Sequence, residues 1–399
     1  MARSLWSTRR AAQLGLASPG LLVGLLTLAV LPSSAAPLDA LLTATPERSV
    51  GGTARVELAV DRLNRRLDLG GAATDSSGSG QVRNANGDYQ GEQVSAAYRV
   101  GSGLWLSGSA WRRLVRSDAD TYHYRGWRVS GLYRLADAAP TAGADSAAAA
   151  WAPALATRPA VALRLSAWGN QAKLTETTTP VRVTGAVLNT VTVTRPSDLQ
   201  VQADLIATWR LSPAVDFSAA LGAGRIHLAY AGLAATTTRN GCHYRLSFNG
   251  NDIFGTLAQP CSAGADGGGV IQQFYDSSGD YGVDVAHEIA WAGNFLQAGV
   301  NVGWRSGPWT LQGGYLFHTV RRDAVDAILA ARGDPVHKTN QTVTLEAAYQ
   351  LMAKVELFTR AELSSNLFFQ DIPVTYNSST SGNFGSRLSM FSLGLRAGF

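Results

Sequence analysis

The chain has 399 residues, of which 46% are hydrophobic and 16% charged, with 42 glycines, 3 methionines and a formal charge of +5. Soluble domains carry about 25% charged residues and helical membrane proteins need apolar runs of about 20; the composition fits neither, and its mean hydropathy lies near zero. The charge falls to +2 once Arg3, Arg9 and Arg10 are set aside with the acid-free N-terminal segment, so there is no footprint of a nucleic-acid-binding protein.

Residues 1–35 read as a signal peptide. The three arginines form its basic region, Leu21 to Leu31 its apolar region, and Ser33-Ser34-Ala35 or Ser34-Ala35-Ala36 its cleavage site. The apolar region is too short to span a bilayer. Arg9-Arg10 is the only trace of a twin-arginine signal, so export by the general secretory route is expected. Residues 36–52 form a linker, and 53–399 a single domain.

That domain alternates between apolar and small or polar residues with a period of two, the signature of strands with two different faces. The first strand spans about Thr53 to Leu69. The second ends at Tyr98-Arg99-Val100 and turns through Gly101-Ser102-Gly103 into Leu104 to Val115, followed by Tyr122 to Leu135 and, after an Ala- and Pro-rich turn at 136–159, a strand from Val161. In the clearest strand, Leu199, Val201, Ala203, Leu205, Ala207 and Trp209 alternate with Gln200, Gln202, Asp204, Ile206, Thr208 and Arg210. Ser212-Pro213-Ala214 leads to the strand at Phe217 and a long excursion at 231–280. Tyr281 to Arg305 is expected to be one long strand bulged around Ala292 to Asn294, followed by Trp309–Val320, Gln341–Leu351, Val355–Ser365 and Ser386–Phe399.

Twelve strands result. Four short connections (101–103, 212–214, 306–308 and 352–354) fall on one side, and polar loops at 70–88, 176–197, 231–280, 321–340 and 366–385 on the other. Strand ends repeat an aromatic residue followed by arginine: Tyr98-Arg99, Tyr133-Arg134, Trp209-Arg210 and Trp304-Arg305. The last strand alternates Phe391, Leu393, Leu395 and Ala397 with Met390, Ser392, Gly394, Arg396 and Gly398, and stops on Phe399. This resembles the C-terminal strand of Gram-negative outer-membrane β-barrels, with Phe399 as the assembly signal. The resemblance implies an all-β, up-and-down transmembrane barrel of about 12 strands with long extracellular loops, located in the bacterial outer membrane. Its implied partners are outer-membrane lipid and lipopolysaccharide, with periplasmic chaperones and the barrel-assembly machinery during biogenesis.

Groups able to carry chemistry are sparse. Cys242 and Cys261 both lie in the longest loop, where a disulfide is the expected pairing outside the cytoplasm. Asp118 and Asp120 resemble half of the acid constellation of omptin proteases, but Asp284 and His287 are three apart and would face opposite ways on a strand. His243 and Ser247 do not have the spacing of outer-membrane phospholipase A. His227, His287 and Glu288 form no metal motif. No cofactor or metal is expected, and the sequence points away from an enzyme.

On the lumen phase lie Arg99, Arg128, Arg134, Arg164, Arg210, Arg305, Arg360 and Arg396, facing Glu57, Asp61, Asp204, Glu346, Glu356 and Glu362. Arg99, Arg134, Arg210, Arg305 and Arg396 cluster at the periplasmic end, where Glu356 is the evident acid. They either form an anion-favouring mouth or pair and fill the lumen. The expected function is a passive, porin-like channel for small hydrophilic solutes, anions among them. Its rivals are a closed barrel with an adhesive or structural surface and an outer-membrane hydrolase.

Overall fold

The computed structural model describes residues 43–46, 52–63, 86–117, 120–137, 158–178, 180–261, 270–366, 376, 381 and 388–399. The expected signal peptide, most of the linker, much of the 70–88 loop, most of the 136–159 turn and Asp118 lie outside the described residues. In chain order the strands are β1 (Ala54–Leu63), β2 (Asn86–Val100), β3 (Leu104–Ser117), β4 (Asp120–Ala136), β5 (Ala160–Ala172), β6 (Leu174–Thr177), β7 (Val181–Val183), β8 (Ala186–Thr194), β9 (Ser197–Arg210), β10 (Val215–Ala229), β11 (Gly232–Arg239), β12 (Cys242–Asn249), β13 (Asp252–Leu257), β14 (Gln273–Ser277), β15 (Ala292–Ser306), β16 (Trp309–Arg322), β17 (Thr339–Met352), β18 (Val355–Ser364) and β19 (Leu388–Gly398). Two helices, α1 (Val285–Glu288) and α2 (Val325–Arg332), lie among the outer loops.

Twelve strands close into an antiparallel barrel in the order β1-β19-β18-β17-β16-β15-β10-β9-β5-β4-β3-β2. The seam is the pairing of the first strand with the last, with Glu57 opposite Arg396 and Leu58 opposite Leu395. Alternation fixes which face is which. On β9, Gln200, Gln202, Asp204 and Thr208 are buried, while Leu199, Val201 and Leu205 are 47%, 46% and 52% exposed. Polar inside and apolar outside reverses the rule for a soluble sheet, and it recurs around the wall with Leu106, Val129, Leu165, Leu221, Leu296, Leu345 and Leu393 outside. Only lipid satisfies such an exterior. The chain is a transmembrane β-barrel.

The four short connections join β2–β3, β9–β10, β15–β16 and β17–β18, all at one end of the barrel. The opposite end departs from the expected loops in two ways. First, 281–305 is not one strand. A 3-10 turn over Ser278–Tyr281, capped by Ser277, ends at Gly282 with φ of 70°, and α1 follows before β15 begins at Ala292. The left-handed glycine and the helical turn break the alternation, and Trp291 is buried rather than facing outward.

Second, the strands within 174–177, 181–194, 232–257 and 273–277 form a second sheet in the order β14-β13-β12-β11-β8-β6, with β7 paired to β8. Its β6-β8-β11 order repeats β5-β9-β10, the barrel strands these segments extend. The junction is a break at Lys173 and Arg195-Pro196, where the Arg195 amide donates to the Lys173 carbonyl at 3.1 Å. The sheet therefore continues the wall above the membrane. One face packs around Ala235, Tyr244, Leu246 and Ile253.

Candidate functional site: the barrel lumen

Residues at alternate positions of the twelve strands point into the lumen, where they form successive layers. At the outer mouth Trp111, Trp168, Ile226, Trp291, Phe295 and Val320 pack with Val325 and Leu329 of α2 and with Tyr376 from the loop after β18. Trp291 donates its indole N–H to the Tyr376 carbonyl at 3.0 Å, and the Arg322 guanidinium lies 3.7 Å from the Tyr376 ring centre. Trp168 meets Phe295 edge-on at 6.2 Å across the two intervening strands.

Rings on the lumen side lie along the wall rather than across it. Trp111 covers Gly126 of the neighbouring strand, Phe295 covers Gly224 and Phe358 covers Gly394; a Cβ at any of these glycines would overlap the ring. Each ring is covered in turn on its inner side. Arg113 lies 5.2 Å from Trp111, His318 stacks on Phe295 at 5.0 Å, and Arg396 and Arg360 lie 4.6 and 5.3 Å from Phe358. The resulting order of glycine, ring and a covering arginine or histidine thickens the wall by two layers of side chains and narrows the lumen.

A polar band lies below. Asp204, fully buried, accepts from Arg164 at 2.9 Å, from Gln202 at 2.5 Å and from Gln297 at 2.9 Å. Gln297 reaches it over Gly222, where a side chain would collide with both. Above this band, level with the aromatic layer, Asp198 accepts from Asn170 and Gln200.

Towards the periplasmic end, the chain before β1 enters the lumen. Ala44 is fully buried in a cluster with Trp105, Leu132, Ala162, Ile206 and Leu316. It is anchored by its amide on Thr208 Oγ1 at 2.9 Å and by its carbonyl, which accepts from Arg134 at 3.4 Å. Segment 43–46 therefore occupies part of the lumen at this end.

The five arginines expected at the mouth do not share one environment. Arg396 is buried in a cluster of three cations and three acids. It meets Glu57 at 3.1 Å, Glu346 at 2.9 Å and Glu356 at 3.4 Å; Arg360 meets Glu346 at 2.6 Å and Glu57 at 3.5 Å; and Arg55 meets Glu57 at 2.9 Å. Arg305 pairs with Asp216 at 3.1 Å and Arg134 with Asp137 at 3.1 Å. Arg99 and Arg210 make no ion pair among the described residues. Glu356 is thus not the one acid at this level: Glu57 and Asp216 are brought there by neighbouring strands whose register the sequence alone does not set, and Asp137 by the chain just after Arg134.

Cys242 and Cys261 are joined, with Cα atoms 5.6 Å apart. Asp284 and His287, expected to face opposite ways, come together because α1 replaces the strand: His287 Nδ1 lies 2.9 Å from Asp284 Oδ2. Burial alone would raise the Asp284 carboxyl, but hydrogen bonds from Asn251 and His287 hold it below its usual range. Glu288 is bound by Arg332 of α2, so this group ties α1 to α2. Asp120 accepts from the Thr178 amide and hydroxyl. His243 bonds Thr238, and Ser247 donates to the Phe254 carbonyl. None of these assembles a nucleophile with a base, and no metal-binding group occurs among the described residues.

No family model and no curated protein matches the sequence. Solved structures with similar architecture include the translocator domain of autotransporter NalP from Neisseria meningitidis, at 9% identity and a TM-score of 0.42, covering 87% of this chain and 88% of that one. The CymD monoaromatic hydrocarbon channel matches at 9% identity and 0.40, covering 90% and 92%. The toluene transporter TbuX of Ralstonia pickettii matches at 11% and 0.37, covering 92% and 96%.

Proposed function

We propose that the protein is an outer-membrane conduit for small hydrophilic solutes whose lumen is obstructed at rest and opens when segment 43–46 leaves it. The observation that carries this is the hold on Ala44. Two hydrogen bonds and one small side chain fix it among wall residues, an attachment far weaker than the barrel around it, since a typical hydrogen bond contributes about 0.5–1.5 kcal/mol net. The polar faces of Gln200, Gln202, Thr208, Asn340, Thr342 and Thr344 then form a hydrophilic track along the wall. Arg99 and Arg210 are the groups that would favour anions. The preference expected is weak, because Arg134, Arg305 and Arg396 are neutralised by acids.

The outer-membrane location rests on the lipid-facing exterior and on the short turns at one end with long structured excursions at the other. A second reading, a closed barrel that presents its extracellular sheet to a partner, draws support from the disulfide-tied sheet standing above the wall. Single-channel recording in planar bilayers separates the two. Wild-type protein should show small, infrequent openings, and a variant lacking residues 37–46 should conduct continuously. Silence from both favours the closed barrel.

A further inference from the structure

Among the described residues, the exterior of the wall carries its cations at one end only. On β10, β15 and β16, Arg225, Asn294 and Arg321 stand side by side in one row, with Asn294 registered against both arginines. All three point outward, the Arg225 side chain is 59% exposed, and its one carboxylate contact among the described residues is Asp323 at the long distance of 3.9 Å. A second outward pair, Arg112 and Arg125, sits directly opposite across β3 and β4, a like-charge arrangement that disfavours the bare sheet. Glu92 lies 4.0 Å from Arg112. At the other end the outward positions are Tyr98, Tyr133, Trp304, Trp309, Tyr349 and Leu395, with no lysine or arginine among them.

Depth places the arginines at a headgroup boundary. Arg125 is eight residues from Tyr133 and Arg225 eight from Phe217, about 27 Å of strand and about 20 Å along the normal at the usual barrel tilt. Running up to Arg225 and Asn294 is a shallow apolar groove of about 960 Å³ on the same exterior, lined by Leu106, Gly131, Leu165, Ala167, Ala203 and Ala223. The small residues lie in two adjacent registers across β4, β5, β9 and β10, and so hollow the wall.

We propose that this is a binding site for a phosphorylated lipid of the outer leaflet: an acyl chain lies in the groove and a headgroup phosphate is held by Arg225 and Arg321 with Asn294 between them. Arg112 and Arg125 take a second phosphate on the adjoining face. Guanidinium forks suit phosphate oxygens in bidentate pairs, and the one-sided distribution matches a leaflet whose charge is on the outside. The inference rests on the outer-membrane location proposed above.

The test uses full-length protein reconstituted in phosphatidylcholine vesicles that contain a bis-phosphorylated glycolipid or its dephosphorylated form, followed by native mass spectrometry after gentle detergent extraction. Wild type should retain the phosphorylated lipid and not the other. R225Q/R321Q should lose at least about tenfold in retention, the change expected when two charge-assisted hydrogen-bonding groups are removed, while Lys at both positions should retain an intermediate amount. Deepening the test, Ala203→Trp should fill the groove and reduce retention with the arginines intact. Equal retention by R225Q/R321Q that still shows heat-modifiable migration would overturn the site. Full displacement of the lipid by inorganic phosphate would reduce it to an anion site only. Cell fractionation checks the location separately, because a misplaced protein can still bind the lipid in vesicles.

Discussion

Replacing Arg396 by Gln should weaken the barrel at its closing seam. Arg396 on β19 faces Glu57 on β1 in direct register, so their pair bridges the junction of the first and last strands. It also contacts Glu346 and Glu356, making three of the six ion-pair contacts in a cluster whose three cations and three acids balance. The substitution leaves one uncompensated negative charge among groups removed from water. Breaking a buried pair from one side costs about 3–5 kcal/mol, and the loss of the guanidinium over Phe358 adds about 0.5–2 kcal/mol. Arg55 and Arg360 remain beside Glu57, which favours the lower end of the combined range. The double variant R396Q/E57Q restores neutrality and should recover more than half of the loss. Urea unfolding in detergent micelles, read by heat-modifiable gel migration and tryptophan fluorescence, measures both. An R396Q protein within about 0.5 kcal/mol of wild type, which is the scale of an ordinary surface change, would refute the view that this cluster locks the seam.

Deleting Phe399 should slow assembly, because its carbonyl accepts from the Thr53 and Ala54 amides at 2.7 and 3.1 Å and its amide donates to Ala54 at 2.8 Å; pulse-chase folding in cells reads this, and wild-type kinetics would argue against Phe399 as an assembly signal. Replacing Cys242 and Cys261 by Ser should destabilise the extracellular sheet by about 3 kcal/mol while leaving the barrel folded, as protease protection of the two parts would report separately. Burial, and then the charge of Arg322, hold His337 below the ordinary histidine value, which is about 6.5. Its contribution is therefore full above that pH and is lost as pH falls below it, so the contact of its amide with the Tyr376 hydroxyl should loosen in mild acid. Trp291 fluorescence titrated from neutral pH downward should show the change, and His337→Gln should remove it.

Strand order, the twelve-strand closure and the lipid-facing phase were legible in the sequence because a period of two survives any register. Leu199 to Trp209 and Phe391 to Phe399 declare their faces locally. What crosses between strands was not legible. Trp111 over Gly126 and Gln297 over Gly222 depend on pairings that no single strand encodes, and Arg396 reads as a mouth residue until Glu57 and Glu346 are placed around it. The extracellular sheet escaped for a different reason: its Thr-rich strands, such as 186–194 and 232–239, have a polar outer face and resemble loop composition. In 281–291 the alternation continued through Tyr281, Val283 and Val285 by coincidence, while Gly282 and the capping Ser277 set a turn.

The most direct test of the obstructed conduit is a reversible tether on segment 43–46. The Ala44 amide bonds the Thr208 hydroxyl at 2.9 Å, so Ala44→Cys with Thr208→Cys should cross-link on oxidation. Conductance of the same bilayer is then recorded before and after reduction, with wild type as the control for opening the Cys242–Cys261 bridge. The oxidised protein should stay shut and reduction should restore openings that wild type shows in both states. Equal current in the oxidised and reduced double variant, or silence in both, would contradict the account.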